Sequence, residues 1–292
     1  MHGKHLLLCS PTKRERTMGL PQPEETATWS DADYFAYDAV NASAIKQFAK
    51  SPKAYGHYLR NPPATTSSMT LGSAIHCLTF EAGAFEDRYA VWNEGSRRTK
   101  AYKEWSQQHE GKELLTADEH ETALSVATAA SNHPLLKQLI GHPGTQLERA
   151  LVWFGFFGIC KAKIDLLHYS EEHGLIILDL KSTSSELDEH SITHTIGKYK
   201  VHLQLHHYFE AACSYYRLPT NTTPAKLIAL YARTSAPYEV SAFELGEQTK
   251  QEVSDYYQDL ADVYDFCMAS GHWPGQPEQR TIEVPTYYSQ RK

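Results

Sequence analysis

Residues 159–183, ICKAKIDLLHYSEEHGLIILDLKST, decide the architecture of this chain. Two runs rich in β-branched and aliphatic residues, ICKAKIDLLHY and LIILDLKS, flank SEEHG, which has the polar residues and glycine of a tight turn. The pair reads as a hairpin. Side chains alternate across a strand, so Asp179 and Lys181 share one face while Leu178 and Leu180 take the other. The same alternation sets Asp165 with Lys161 and Lys163 on one face, against Cys160, Ala162, Ile164 and Leu166. With SEEHG closing the hairpin, Asp165 and Asp179 come together across neighbouring strands. Two carboxylates beside a lysine suit a hard divalent cation such as Mg²⁺, which takes a few oxygen ligands and keeps several waters. Lys181 is then placed to orient or help deprotonate an attacking water and to offset charge on a phosphate, which is the chemistry of phosphodiester hydrolysis. A D-x-K is also common by chance, and an exposed ion pair on an edge strand leaves the same pattern. An Asp between apolar strand residues favours the site, because a charge beside a core needs a partner or a metal.

Working outward, ERALVWFGFF supplies a strand ahead of the hairpin and completes a three-strand meander. VHLQLHHYFEAACSYYR repeats apolar residues at i, i+3, i+4 and i+7 and predicts a helix after the sheet. LIALYART and YEVSAFEL predict a second hairpin turning near Ser235-Ala236-Pro237, and a last helix spans roughly 247–270. On the N-terminal side, Asn41 is a good cap for ASAIKQFAK, which stops at Ser51-Pro52; AYGHYLR follows, then a helix from about Leu71 and another over roughly 117–140, ending at Gly141. Residues 1–30 are rich in Pro, Thr, Glu and Lys without periodicity and predict a flexible leader. The expectation is one α/β domain over 31–292, mainly helical over 31–145 and carrying a sheet-helix core over 146–275.

Composition sets limits on partners. The chain of 292 residues is 41% hydrophobic and 22% charged, ordinary for a globular protein, and no stretch approaches the ~20 apolar residues of a membrane span. Its five cysteines, Cys9, Cys77, Cys160, Cys213 and Cys267, are scattered and odd in number, which suggests neither a disulfide framework nor a zinc site and fits a reducing cytoplasm. A net charge of −7 argues against a protein that coats nucleic acid but allows a local basic groove. Candidates for that groove are Lys161, Lys163, Lys198 and Lys200 near the acids, and Arg97 and Arg98 with Lys100 and Lys103, interleaved with Tyr102 and Trp105. A solvated helix face accounts equally well for the second cluster. Gln204 and Tyr208, four apart, share a helix face, where an amide and a phenol can hold a water or a phosphate; a surface amide and a half-buried tyrosine are the plainer account.

SPKAYGHYL, LGSAIHCLTFEA, KAKIDLL, ILDLKST and the Q-x-x-x-Y of QLHHY, in that order, resemble the PD-(D/E)XK nucleases, and within them the RecE-type (exonuclease VIII-like) and lambda-type phage recombination exonucleases, over roughly 41–275. The resemblance implies a restriction-endonuclease-like core, a mixed central sheet of about five strands flanked by helices, with an N-terminal helical elaboration. It implies Asp165, Asp179 and the carbonyl of Leu180 as ligands of Mg²⁺, with Mn²⁺ substituting, and Lys181 as general base or water-positioning residue. His76 looks like the helix histidine that contacts a metal in RecB-like relatives, although on its apolar helix it also reads as a core histidine; Glu148 matches by position a glutamate near a second metal. Gln204 and Tyr208 match the family's helix motif, and Ser43 and Lys46 lie where relatives present groups to a 5′ end. The activity implied is 5′-to-3′ digestion of linear double-stranded DNA by a ring-shaped homo-oligomer, a trimer or tetramer. The 3′ single strand it leaves passes to a single-strand annealing protein. A structure-selective endonuclease and a catalytically silent DNA-binding subunit are the alternatives.

Overall fold

The computed structural model describes residues 19–279 and residue 281. In chain order it contains α1 (Pro23–Thr26), α2 (Asp31–Ala36), α3 (Ala42–Phe48), α4 (Pro52–Arg60), α5 (Ser67–Phe80), α6 (Phe85–Arg88), β1 (Tyr89–Trp92), α7 (Lys100–Gln108), β2 (Glu113–Thr116), α8 (Ala117–Asn132) and α9 (Pro134–Leu139). There follow β3 (Thr145–Gly155), β4 (Gly158–Ser170), β5 (Gly174–Thr183), α10 (Glu189–Tyr199), α11 (Val201–Tyr216), β6 (Ala225–Arg233), β7 (Val240–Glu244) and α12 (Glu247–Ser270). Caps explain the helix starts: the Asn41 side chain accepts from Ala44 N–H, and Ser51 and Thr66 do the same for α4 and α5. The single helix expected over 117–140 is two, because Pro134 opens α9 and lacks the N–H that would continue α8.

The main sheet has the order β3-β4-β5-β6-β7, antiparallel except for the parallel pair β5 and β6. A parallel pair needs a crossover, and α10 and α11 supply it. Helices α3, α11 and α12 cover one face and α5 and α8 the other, each over its own apolar core. This is the restriction-endonuclease-like arrangement, with the helical elaboration before β3 interrupted by a small parallel sheet of β1 and β2. No helix of the described residues is long and apolar enough to cross a membrane. Cys77, Cys160, Cys213 and Cys267 are free and buried, and Cys9 lies outside the described residues.

Two expectations need correction. The flexible leader over 1–30 is too long: α1 forms, Thr26 is buried, and Pro23 O accepts from Arg149 Nη2 at 2.6 Å, while residues 1–18 lie outside the described part. Strict alternation along β4 fails at Asp165. Cys160, Ala162, Ile164 and then Leu167 pack into the core under α11, whereas Leu166 packs into the opposite core under α5 and α8. The strand changes face at that point, and Glu148, opposite Asp165 in the register, has φ 47°. A left-handed non-glycine residue is strained by about 1–2 kcal/mol, and such strain persists only where surrounding contacts hold it.

Lys161 and Lys163 depart from the DNA-facing roles expected of them. Lys161 is buried, and its ammonium donates to Tyr34 O at 2.7 Å and Tyr37 O at 2.6 Å, 4.8 Å from the Tyr34 ring centre. It fastens α2 to the sheet and has no face toward a phosphate. Lys161→Met is therefore expected to lower unfolding free energy by about 2–3 kcal/mol, the scale of a charged hydrogen bond with buried acceptors left unpaired. If the chain binds DNA, the salt dependence of that binding should stay as in the parent, and a lower slope in a filter-binding titration would give Lys161 a phosphate-facing role after all.

Candidate active site

The ladder between β4 and β5 runs from Ser170 opposite Gly174 to Leu166 opposite Leu178, and there it stops. Beyond it the strands part, and the Asp165 side chain bridges the gap by accepting Leu180 N–H at Oδ2, 2.7 Å. A carboxylate thus replaces a ladder carbonyl, which fixes Asp165 against the Asp179-Leu180 peptide. Asp165 and Asp179 are both buried, at 6% and 1% exposure, where unpartnered charge is costly.

Asp179 is held from α11. Its Oδ1 accepts from Gln204 Nε2 at 2.8 Å, and Lys181 Nζ lies 2.7 Å from Oδ2. The same Gln204 nitrogen donates to Tyr208 Oη at 2.7 Å, and Gln204 Oε1 accepts a short bond from Lys46 Nζ. Gln204, Tyr208 and Lys46 thus form one buried chain ending on Asp179. Lys46, placed by resemblance at a DNA end, stands inside this chain; Ser43, one turn earlier on α3, is exposed beside Tyr58. Burial and the Lys181 ammonium pull the Lys46 pKa down to about 7, with Asp179 opposing. Burial also works to lower that of Lys181, but Asp179 and Asp165 outweigh it and hold Lys181 above its ordinary value.

On the other side of Asp165 stands His76, carried by α5. Its Nε2 donates to Leu180 O at 2.8 Å, and Nδ1 lies 3.4 Å from Asp165 Oδ2 and 3.8 Å from Glu148 Oε1. Although burial opposes its charge, Asp165 and Glu148 raise the imidazole pKa to about 9. Burial, with Asp179 and Glu148 adding to it, raises that of Asp165 to about 7 against the pull of His76 and Lys181. Glu148 goes the other way: burial would raise it, but His76 and Lys163 hold it below the usual carboxylate range. Lys163 Nζ lies 2.9 Å from Glu148 Oε2 and 2.6 Å from Asp31 Oδ1, and Arg88 pairs with Glu81 beside it. Lys163 is a counter-charge for Glu148 and not a free phosphate ligand.

Ligand atoms of His76, Glu148 and Asp165 lie within 4.8 Å of one another, and Glu148 Oε1 is buried without a hydrogen bond. The donor set is two carboxylates and a histidine, and it fits a hard divalent cation; Leu180 O, bonded to the far nitrogen of the same imidazole, lies outside that group. Asp179 stands next to that group with its oxygens turned to Gln204 and Lys181.

Among the described residues, no side-chain hydrogen bond or ion pair ties Lys198, Lys200, Arg97 or Arg98 to this cluster. Lys198 sits over the Tyr199 ring at 5.2 Å, and Lys200, with φ 52°, forms the corner between α10 and α11. Arg97 is engaged by Leu114 O and Glu119, whereas Arg98 is exposed. Tyr102 and Trp105 pack on Trp92 at 5.5 and 5.3 Å, so part of their ring surface is already covered. The link from Lys46 to Gln204 had no signal in the sequence: the two are 158 residues apart, and only the fold joins them.

A family model described as "PDDEXK-like domain of unknown function (DUF3799)" matches residues 41–283. The structure of a protein from Eubacterium rectale, provisionally described as an exonuclease, superposes with a TM-score of 0.57 at 12% identity, covering 88% of this chain and 95% of that one. That of SSO0001 aligns over 79% of this chain and 91% of its own at 12% identity, with a TM-score of 0.26 that carries no argument. No curated protein matches by sequence. The family match takes in every strand of the main sheet and all the residues gathered around Asp165 and Asp179, and on it this chain belongs to the family of PDDEXK-like domains.

Proposed function

We propose that this protein is a divalent-cation-dependent exodeoxyribonuclease that hydrolyses linear double-stranded DNA. The observation that carries the reading is the cluster of Asp165, Glu148 and Asp179 with Lys181 at its edge, held from three sides by His76, Gln204 and Lys163 in a PDDEXK-like domain. A cation bound there supplies Lewis acidity at the phosphodiester and makes water a better nucleophile near neutral pH. Lys181, partly exposed beside Asp179, is the group able to orient that water and offset charge developing on the phosphate. Gln204 keeps Asp179 in one rotamer, and Tyr208 and Lys46 keep Gln204 in one orientation.

Exonuclease action is supported by the description of the Eubacterium rectale relative. The 5′-to-3′ direction, the ring-shaped homo-oligomer and the single-strand annealing partner rest on the resemblance to recombination exonucleases. A ring would let an acidic chain stay on DNA by enclosing it, without a basic outer surface.

The test is linear duplex DNA labelled separately at its 5′ and 3′ ends, incubated with Mg²⁺ or with EDTA beside a covalently closed circle. The expected result is early release of 5′ label, only with metal, and an intact circle. Cutting of the circle would replace this reading with an endonuclease, and no cleavage with Mg²⁺ or Mn²⁺ would replace it with a silent DNA-binding subunit.

A further inference from the structure

A second group of metal-binding side chains lies away from the carboxylates, where the β4–β5 turn meets the loop after α9. One ring nitrogen each of His142 and His173 and a carboxylate oxygen of Glu172 lie within 4.8 Å of one another. We propose that His142, Glu172 and His173 form a surface site for a borderline divalent ion of the Zn²⁺ class, which staples the β4–β5 turn to the α9–β3 loop.

Local structure places these side chains together. In the turn, His173 N–H donates to Ser170 Oγ at 3.1 Å, and Gly174 takes φ 68°, so Glu172 and His173 project from a fixed bend. In the loop, Thr145 N–H donates to His142 O at 2.9 Å and Tyr169 N–H to Gly144 O at 3.0 Å. A Cβ on Gly144 would fall 2.5 Å from Tyr169 O, so only glycine lets the loop lie this close to β4. Between loop and turn sits the fully buried His168, bonded through its two ring nitrogens to Thr145 Oγ1 at 2.8 Å and Ser170 Oγ at 2.9 Å. Its ring is 4.7 Å from that of His142 and 5.5 Å from that of His173. His168 is therefore a spacer that orients both neighbours and is not itself a ligand.

The donor chemistry separates this site from the catalytic one. Two imidazoles with one carboxylate, and a fourth position open to water, is a set zinc takes, whereas the cluster at Asp165 is built mainly of oxygens. β4 ends five residues beyond Asp165, about 16 Å at strand rise. His173 is the better anchor: its Nε2 lies 4.0 Å from Glu172 Oε1, and the contact it would give up, to the Gln138 amide nitrogen, is long at 3.4 Å. His142 accepts Gly144 N–H at Nδ1, 3.0 Å, and must give up that bond by turning its ring, so it is the weaker ligand. Ligand atoms around a tetrahedral ion sit roughly 3.4 Å apart. The contraction required is small, and the Glu172 side chain, 77% exposed, is free to make most of it.

The test uses the full chain, with excess Mg²⁺ to occupy oxygen-rich sites, titrated with Co²⁺ and read by visible absorption, then displaced with Zn²⁺. One equivalent of Co²⁺ should bind. His173→Ala should weaken it at least tenfold, with smaller losses in His142→Ala and Glu172→Gln, and Asp165→Asn should leave it in place. Zn²⁺ should raise the melting temperature of the parent and not that of His173→Ala, with circular dichroism and His173→Gln checking that the variants fold. Absence of saturable binding, binding indifferent to both histidines, or binding lost with Asp165→Asn would each overturn the site.

Discussion

Asp179→Asn should slow cleavage of linear duplex by about a thousandfold or more, the scale on which loss of one transition-state group acts, while the protein stays folded and still binds DNA. The asparagine keeps the shape and its Oδ1 can still accept from Gln204, while an amide NH2 replaces the oxygen that faces Lys181, so the loss falls on the charge and on that ion pair. Without that charge Lys181 loses its 2.7 Å partner, and the like charge that acts most strongly with burial to raise the Asp165 pKa is gone. Single-turnover digestion of end-labelled DNA measures the rate, and a gel shift in Ca²⁺ measures binding. Parent-like rates would remove Asp179 from the chemistry, whereas lost binding with intact structure would make it a substrate ligand.

Gln204→Leu should be the most damaging single change on α11, in stability as well as rate. It strips a hydrogen bond from Asp179, one from Tyr208 and one from Lys46, all from an interior position at 8% exposure. Each buried polar group left without a partner costs about 1–3 kcal/mol. Some are re-paired through water, so a total loss of about 3 kcal/mol in urea unfolding is expected, with cleavage down at least a hundredfold. Gln204→Glu separates the two effects. It retains an acceptor for Lys46 but sets a carboxylate against Asp179, and activity should fall further than stability. A Gln204→Leu protein as stable as the parent would mean that the amide chain is not a structural tie.

The local part of this organisation was legible in the sequence. Alternation in ILDLKS put Asp179 and Lys181 on one face, and the short polar SEEHG fixed the hairpin that brings Asp165 across, because strand period and turn chemistry are both local rules. Hydrophobic spacing likewise marked α11 and α12. Legibility ended where position depends on contacts distant in sequence. The face change of β4 at Asp165 has no trace in KAKIDLL, since it comes from two cores pulling Ile164 and Leu166 to opposite sides. Lys161 and Lys163 read as a basic stripe because spacing cannot reveal that α2 delivers carbonyls to one and Asp31 to the other. Charge alone never distinguishes a lysine awaiting a phosphate from one already engaged.

The family match begins at residue 41, but the physical unit begins earlier. Helices α1 and α2 lie wholly ahead of that boundary, and through Pro23, Asp31, Tyr34 and Tyr37 they satisfy Arg149, Lys163 and Lys161 on the strands that carry Glu148 and Asp165. A chain trimmed to the aligned region would keep every proposed ligand in its sequence yet take from the Lys161 ammonium its carbonyl acceptors and release the counter-ion that shares Lys163 with Glu148. The matched region marks where the chemistry is written, and this N-terminal clasp marks where it is held. Excision at residue 41 should therefore yield an insoluble or inactive fragment, and cutting before Pro23 a working one.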